Sequence, residues 1–308
     1  MARRLSTGAL AHLLLLAVVF VWGATFVLVK DALQDASPLL FNLLRMTLAF
    51  IALAIINHRQ LRHINRRALI SGIIVGTFLA AGYQFQTAGL ALTTPAKSAF
   101  ITGMVVVFVP LFTVVPALRS PNTPSPGWTT AIGALLAFSG LFLLTTPAGT
   151  SANNLFTSIG LGDLLTLACA VAFAGHLLSL AHTSPKVPAG QLATLQIGVA
   201  SVLMAITLPL GGSPHLSPTP RLTIALAITS LLATAAAFTI QSWAQQHLPP
   251  THTAILLTLE PVFACLTSFL VLHEHLGGRS LLGATLILGG IAFIELFSTA
   301  SPLSLHQD

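Results

Sequence analysis

Long apolar stretches with almost no charged residue constrain this chain more than any other feature of its sequence. At 1.5 Å rise per residue, a helix of ~20 residues crosses the ~30 Å hydrocarbon core of a bilayer. A helix also satisfies its own backbone polar groups there. The sequence therefore predicts an all-α polytopic membrane protein. Its ten predicted transmembrane helices lie near Ala9–Val29, Pro38–Ile56, Ala68–Leu90, Lys97–Leu118, Gly127–Thr146, Ile159–Leu180, Ala189–Pro209, Leu222–Gln245, Thr251–His273 and Gly278–Phe297.

Composition argues against a soluble fold. Of the 308 residues, 55% are hydrophobic and 6% are charged, whereas a soluble domain carries about 25% charged residues. The net charge of +6 does not predict nucleic-acid binding, because the basic residues lie between apolar runs and form no stripe. Cys169 and Cys265 both lie inside apolar runs, and the sequence shows no zinc spacing. We therefore expect neither a metal nor a cofactor.

The basic residues indicate how the helices are oriented. Loops rich in lysine and arginine stay on the cytoplasmic side of a membrane. With the N-terminus inside, eight basic residues fall on the inner side and four on the outer side. This predicts a multi-pass protein of the cell inner membrane with both termini cytoplasmic. The inner residues are Arg3, Arg4, Arg59, Arg62, Arg66, Arg67, Arg119 and Lys186, and the outer ones are Lys30, Lys97, Arg221 and Arg279.

The two halves of the chain show a weak internal repeat. We predict a first five-helix repeat over residues 9–146, a connecting loop over 147–158, a second repeat over 159–298 and a short cytoplasmic tail over 299–308. Since five is odd, the second half enters the bilayer from the opposite side, as in the inverted repeats of secondary transporters. One shift superposes Ala99, Val107, Phe108 and Leu111 on Ala254, Val262, Phe263 and Leu266, and another superposes Gly133, Ala134 and Gly140 on Gly283, Ala284 and Gly290.

Short motifs spread over nearly the whole chain carry a family resemblance. They are Trp22-Gly23-Ala24-Thr25-Phe26, Phe41-x-x-x-Arg45, Ala96-Lys97-Ser98-Ala99-Phe100-Ile101-Thr102-Gly103, Leu259-Glu260-Pro261-Val262 and His273-Glu274. In these motifs the chain resembles the EamA-type branch of the drug/metabolite transporter superfamily. The resemblance implies two five-helix bundles around a central cavity, moving small molecules, often outward, by alternating access. The first half departs from the pattern, since it has Arg119 where the second half has Glu274.

Glu260 is a candidate for proton coupling. It lies near the middle of the predicted ninth span and directly precedes Pro261, whose missing N–H frees a carbonyl in the preceding turn. Polar groups at this depth are costly and often functional. Glu260 can bind a proton or a substrate cation, or it can be a structural acid that hydrogen-bonds the loosened backbone.

Arg45 and Asn42 share one helical face in the second span and are candidates for the substrate pathway. A guanidinium is always charged and must be satisfied. Arg45 can bind an anionic group of a substrate or pair with a carboxylate across the bundle. Alternatively, it snorkels or holds two helices together.

Gln86 and Gln241 are further pathway candidates, because the shift that aligns the fourth and ninth spans also superposes these two amides. They can line opposite walls of a cavity, or they can hydrogen-bond to each other between helices. Tyr83 lies one turn before Gln86, and Trp243 lies two residues after Gln241. Trp22 lies deep within the first span and is a candidate for stacking on substrate, since an interfacial anchor would lie near a span end.

The sequence fits other classes of membrane protein less well than a transporter. The sequence has no Gly-x-x-x-x-Gly-Lys-Ser/Thr loop, so the chain cannot use ATP through its own residues. An intramembrane enzyme acting on lipid-phosphate or peptide substrates needs several catalytic groups at one depth, and Glu260 has no such companion on neighbouring turns. The sequence predicts a secondary active transporter of small organic solutes, not an enzyme, with efflux favoured and proton coupling open. Its expected partners are the solute and the bilayer; pairing with a second copy stays open.

Overall fold

The computed structural model describes residues 6–92, 98, 101–119, 125–145, 160–272 and 277–297, and within these ranges the fold is helical without any strand. The predicted connecting loop over 147–158, the tail over 299–308 and the His273-Glu274 motif lie outside the described residues. The helices are α1 (Thr7–Ala32), α2 (Pro38–Ile56), α3 (His58–Leu61), α4 (Arg66–Leu92), α5 (Val105–Thr113), α6 (Trp128–Thr145), α7 (Leu161–Thr183), α8 (Ala189–Thr207), α9 (Pro220–Ser230), α10 (Ala237–Ala244), α11 (Pro250–Leu257), α12 (Leu259–Leu272) and α13 (Gly278–Phe297).

Apolar segments long enough to cross a bilayer confirm that the chain is a polytopic membrane protein. Six described segments have this length, and three further described helices are apolar but shorter. The count of ten crossings stays a prediction. The six segments are Thr7–Thr25, Pro38–Ile56, Arg66–Leu90, Leu161–Lys186, Ala189–Gly211 and Pro220–Ala244, and the shorter helices are Ile101–Thr113, Trp128–Leu143 and Gly278–Ile294.

The described surface of the bundle carries many large apolar side chains. Ile55, Leu135, Val202, Ile206 and Leu282 are all exposed to the surroundings. In water, each such side chain would forgo the ~1.5–3 kcal/mol that burial provides. In a bilayer the lipid tails surround these side chains, so the fold needs no polar shell at this depth.

Three of the predicted spans are interrupted in the structure. In the predicted fourth span, the helical residues 101–103 are separated from α5 by a turn at Met104. The expected single helix over Thr251–His273 consists of α11 and α12, which are separated at Thr258. The physical reason is Pro261 in the first turn of α12, since proline has no N–H with which to continue the helical ladder. The predicted eighth span contains a π-helical segment, Leu231–Ala236, between α9 and α10. Hydropathy does not reveal any of these interruptions.

Helices α6 and α13 approach each other through glycines. A Cβ atom added to Gly140 would lie 2.5 Å from the carbonyl oxygen of Gly283, and one added to Gly290 would lie 2.7 Å from that of Gly133. These are backbone atoms, which cannot rotate away. Small residues at such crossings allow close van der Waals packing, the main attraction between helices in lipid.

An ion pair joins the loop between α1 and α2 to the first turn of α9, at the predicted outer end of the bundle. Arg221 donates to both carboxylate oxygens of Asp35 at 2.9 and 2.8 Å, and the Thr219 hydroxyl donates to the same carboxylate at 2.7 Å. An isolated antiparallel bridge between Ala36 and Leu216 runs beside this contact. The hydrogen bonds from Arg221, and then that from Thr219, hold the pKa of the Asp35 carboxyl below its usual value.

Candidate substrate site at the centre of the bundle

Arg45 lies in the middle of α2 with only 6% of its surface exposed. Its Nε donates to the Thr234 hydroxyl at 2.6 Å, and its Nη2 donates to the Tyr83 hydroxyl at 3.1 Å and to the Ala233 carbonyl at 3.0 Å. A buried guanidinium has to be hydrogen-bonded, because leaving a charge unpaired in a low-dielectric interior is costly. Helices α2 and α4 and the π-helical segment therefore meet at one cation.

The π-helical segment supplies an unusual acceptor at this place. The Ala233 carbonyl receives the indole N–H of Trp22 at 2.8 Å as well as the Arg45 donor. Single π-helical turns alter the regular hydrogen-bond ladder and occur frequently at functional sites. Here one backbone oxygen of the segment accepts hydrogen bonds from Trp22 and Arg45, two side chains that the sequence predicts for the substrate pathway.

One aromatic ring lies against the cation, and further rings pack against that ring. The Arg45 guanidinium carbon lies 4.9 Å from the Tyr83 ring centroid, a distance at which a cation and a π-system attract each other. The Tyr83 ring meets Phe173 edge-on, with centroids 5.6 Å apart, and Phe238 at 6.3 Å. Phe238 in turn packs against Trp22 at 5.5 Å. The rings form an apolar wall beside a fixed positive charge.

Asn42 joins α2 to α4. Its Nδ2 donates to the Thr87 hydroxyl at 2.8 Å and contacts the Tyr83 carbonyl at 3.4 Å. Asn42 is buried, and both acceptors are on the neighbouring helix. The contacts agree with a role in positioning Tyr83, one of the residues that holds Arg45.

Glu260 lies on α12, is partly exposed and interacts electrostatically with Arg45. It also interacts electrostatically with Tyr83. Within the described part of the chain, neither the Glu260 carboxylate nor Nη1 of Arg45 has a hydrogen-bond partner. A carboxylate and a guanidinium edge with unused hydrogen-bonding capacity therefore lie near one another.

The two glutamines and Trp243 are less closely associated with this group. Gln241 is 1% exposed, and its Oε1 has no hydrogen-bond partner among the described residues. Gln86 is partly exposed on α4, and no hydrogen bond joins the two amides in the described structure. Trp243 packs against an apolar cluster that includes Ala11 and Leu15 of α1. Since it follows Ala233 by ten residues, it lies about 15 Å further along the helix axis.

Several residues of this region were not identified from the sequence. Thr234 and the Ala233 carbonyl hold Arg45, yet their Ala-Thr-Ala-Ala run indicates only small residues at a close helix contact. A further polar chain joins three helices, because His176 Nε2 lies 2.9 Å from Gln196 Oε1, whose Nε2 donates to the Ser242 hydroxyl at 3.1 Å. The available signal was polar side chains at membrane depth.

Comparison with known proteins identifies the class of this molecule. The model of the EamA-like transporter family matches residues 9–146 and 160–296, and the chain belongs to that family. An uncharacterized transporter from Archaeoglobus fulgidus is 30% identical over 288 residues, which cover 93% of this chain and 86% of that protein. The uncharacterized transporter YoaV from Bacillus subtilis is 25% identical, over 92% of this chain and 96% of its own length.

Two further likenesses extend over most of the chain. The WAT1-related protein At3g02690, chloroplastic, from Arabidopsis thaliana is 26% identical over 91% of this chain and 68% of its own length. A crystal structure with 20% identity has a TM-score of 0.75 and covers 93% of this chain and 96% of that one, which shows the shared fold. The chain is thus a polytopic membrane transporter of small solutes, and not an enzyme.

Proposed function

We propose that the chain is a secondary active transporter of the inner membrane that exports a small organic solute by alternating access, coupled to protons through Glu260. Residues 9–146 and 159–298 form the two inverted five-helix halves of this proposal, joined by residues 147–158, and both termini, including the tail over 299–308, are cytoplasmic. Inverted halves that rock around a midplane site are a common architecture for such transport.

Two observations support the inverted halves. The family model matches the chain twice, once in each half. The glycines of α6 and α13 also contact each other reciprocally, because Gly133 meets Gly290 while Gly140 meets Gly283. Two helices related by a two-fold axis produce reciprocal contacts of this kind, as in any isologous interface.

The position of Arg45 between the two proposed halves carries the proposal. It belongs to the first half, as does Tyr83, while Thr234 and the Ala233 carbonyl belong to the second. Glu260, which interacts with Arg45, also belongs to the second half. Motion of one half against the other must change the surroundings of this charge, so solute binding and motion are linked through it.

The proposed pathway includes Trp22, Asn42, Arg45, Tyr83, Gln86, Gln241 and Trp243. An apolar or aromatic part of the solute packs against Trp22, Tyr83 and Phe238. A hydrogen-bond donor or cationic group of the solute binds the Glu260 carboxylate, for which a proton competes. Mutually exclusive binding of proton and solute at one carboxylate gives exchange transport when the halves change their access only with that carboxylate occupied, because the proton then returns in place of the solute.

The test is a screen of metabolites and drugs with the purified protein in lipid vesicles, with and without a proton gradient. Once a substrate is found, Glu260→Gln is expected to abolish concentrative transport and to make the remaining solute binding independent of pH. Asp31→Asn, a matched acid-to-amide change at the exposed end of α1, is expected to transport normally. A Glu260→Gln protein that concentrates substrate with unchanged pH dependence would remove the proton-coupling proposal. If alanine at both Gln86 and Gln241 leaves solute affinity unchanged, they do not line the pathway.

A further inference from the structure

A cavity of about 430 Å³ opens between the start of α4 and the short 3₁₀ turn that follows α7. It lies at the predicted cytoplasmic end of the bundle and is separate from the central site, since Arg66 lies about 25 Å along α4 from Tyr83. Its lining includes Arg66, Arg67, Ser71, Thr183 and Lys186.

The cavity concentrates positive charge without any acid to balance it. Arg66, Arg67 and Lys186 are exposed, and none of them has an ion pair or a side-chain hydrogen bond to a described residue. The sequence contains no aspartate or glutamate between Asp35 and Asp163, nor between Asp163 and Glu260. The segments that build the cavity therefore cannot neutralise these cations themselves.

The start of α4 adds to this excess. The helix begins with two arginines and has no acidic residue in its first turn, although the N-terminus of a helix carries partial positive charge and favours anions. The Asn65 side chain accepts the Ala68 N–H at 2.8 Å and caps one backbone donor. Cations at the positive end of a helix are unfavourable unless an anion from outside the chain binds there.

The residues in and beside the cavity are of the kinds that bind a phospholipid. Ile70 lines the cavity, and Ile70, Ile73, Ile74 and Phe78 form an exposed apolar row along α4 that leads toward the membrane interior. The Ser71 hydroxyl lies among the cavity residues and can donate to a phosphate oxygen, whereas the Thr183 hydroxyl donates to the Ser179 carbonyl of its own helix. Basic pockets between transmembrane helices at the cytoplasmic side are typical of anionic headgroup sites.

We infer that this cavity binds the phosphate-bearing headgroup of an anionic phospholipid from the cytoplasmic leaflet, with the acyl chains along the isoleucine row of α4. Arg66, Arg67 and Lys186 supply the charge, and the lipid joins α4 to the end of α7. The inference goes beyond the transport proposal and does not depend on it, because the test below measures lipid binding.

The experiment measures phosphatidylglycerol binding to the purified full chain in neutral detergent, by native mass spectrometry and by the increase in melting temperature. Phosphatidylcholine and inorganic phosphate are the comparison ligands. In Arg67→Gln/Lys186→Gln, phosphatidylglycerol affinity is expected to fall roughly tenfold or more, since each basic residue near a membrane surface contributes appreciably to anionic-lipid binding. The variant Arg59→Gln/Arg62→Gln removes two charges from the same predicted side, outside the cavity, and is expected to stay within about twofold of wild type.

Equal losses in the two double variants would overturn the inference, because diffuse surface charge would then explain the binding. Unchanged affinity in Arg67→Gln/Lys186→Gln would overturn it as well. Stabilisation by inorganic phosphate equal to that by phosphatidylglycerol would identify a soluble anion and remove the lipid. Melting of both variants in phosphatidylcholine serves as the folding check, and Arg67→Lys, which keeps the charge, is expected to retain binding in a protein that folds.

Discussion

Basic residues at the centre of the bundle and at one end of it differ in how their positive charge is stabilised. Around Arg45, at the centre of the bundle, the protein itself supplies a hydroxyl on either side, a carbonyl and an aromatic face. At the predicted inner end, Arg66, Arg67 and Lys186 have no such partners among the described residues. A cation at membrane depth must be satisfied by the fold. A cation at the interface can take its partners from water and lipid, so the two regions should respond differently to the same substitution.

The largest effect is expected for Arg45→Gln. The change withdraws donors from Thr234, Tyr83 and Ala233 and leaves Glu260 without its opposite charge. A hydrogen bond to a charged group contributes ~1.5–3 kcal/mol, and Arg45→Gln removes at least two of the three that Arg45 donates, so the expected loss is ~3 kcal/mol or more. We expect a loss of this size in the free energy of unfolding, measured by denaturant titration in detergent. The matched change Arg67→Gln is expected to stay within about 0.5 kcal/mol of wild type.

A double variant tests whether the charge itself is responsible. If Glu260 and Arg45 interact, Glu260→Gln in the Arg45→Gln background removes a carboxylate that has lost its counter-charge, and the double variant should be more stable than the two single losses predict. Strictly additive losses would contradict the coupling. Equal destabilisation by Arg45→Gln and Arg67→Gln would remove the contrast between the two regions.

The next largest effect is expected for packing, where a glycine at a helix contact differs from a glycine that has no neighbour. In Gly140→Ala the new methyl group would meet the backbone of Gly283 and Ile287, and inserting a methyl group into a packed contact costs ~1–3 kcal/mol. Gly289→Ala on α13 places the same group where nothing lies within 4 Å, so no loss is expected. Thermal unfolding of the pair in detergent measures the difference. Equal melting temperatures would mean that α6 and α13 do not approach this closely.

These regions also differ in how well the sequence predicts them. The bounds of α2 and α13 follow from apolar runs that end at polar residues, and the structure has Pro38–Ile56 and Gly278–Phe297 as predicted. Proline at the first position of α2 suits a helix start. The close contact of α6 and α13 occurs at the glycines that the internal repeat aligns. Helix bounds and helix-packing glycines can be predicted because apolar runs and glycine spacings recur along the sequence.

The partners of Arg45 are a different matter. Trp22, Arg45 and Tyr83 stood out as polar or aromatic groups at membrane depth, but nothing in the sequence indicated that Thr234 would receive the guanidinium. The π-helical segment places one extra residue in a helical turn, and a hydropathy profile does not detect that change. The pair Asp35–Arg221 joins residues 186 positions apart. Long-range pairs of this kind follow from the packing of several helices and not from any local pattern.

A smaller effect is expected for Tyr83→Phe. The change removes the hydroxyl that accepts from Arg45 Nη2 but leaves the ring beside Phe173 and under the guanidinium. A hydrogen bond to a charged group contributes about 1.5 kcal/mol or more, and Nη2 keeps its bond to the Ala233 carbonyl. We therefore expect a loss of about 1.5 kcal/mol in unfolding free energy. A loss as large as that of Arg45→Gln would show that the Ala233 carbonyl does not hold the cation by itself.

The smallest effect is expected at the predicted outer end, where Asp35 has a protein partner but Arg221 is 44% exposed. Because Arg221 lowers the pKa of Asp35 below its unfolded value, the pair stabilises the fold above the unfolded pKa, and this contribution is lost as pH falls through the folded pKa. Acidification below the ordinary aspartate range should therefore lower the melting temperature of the wild type toward that of Asp35→Asn. At neutral pH the variant should melt slightly lower, and less so in high salt, since exposed pairs are screened. A difference that persists at low pH and in high salt would mean that the Asp35 carboxylate acts through packing, as the partners of Arg45 do, and that water does not weaken this pair.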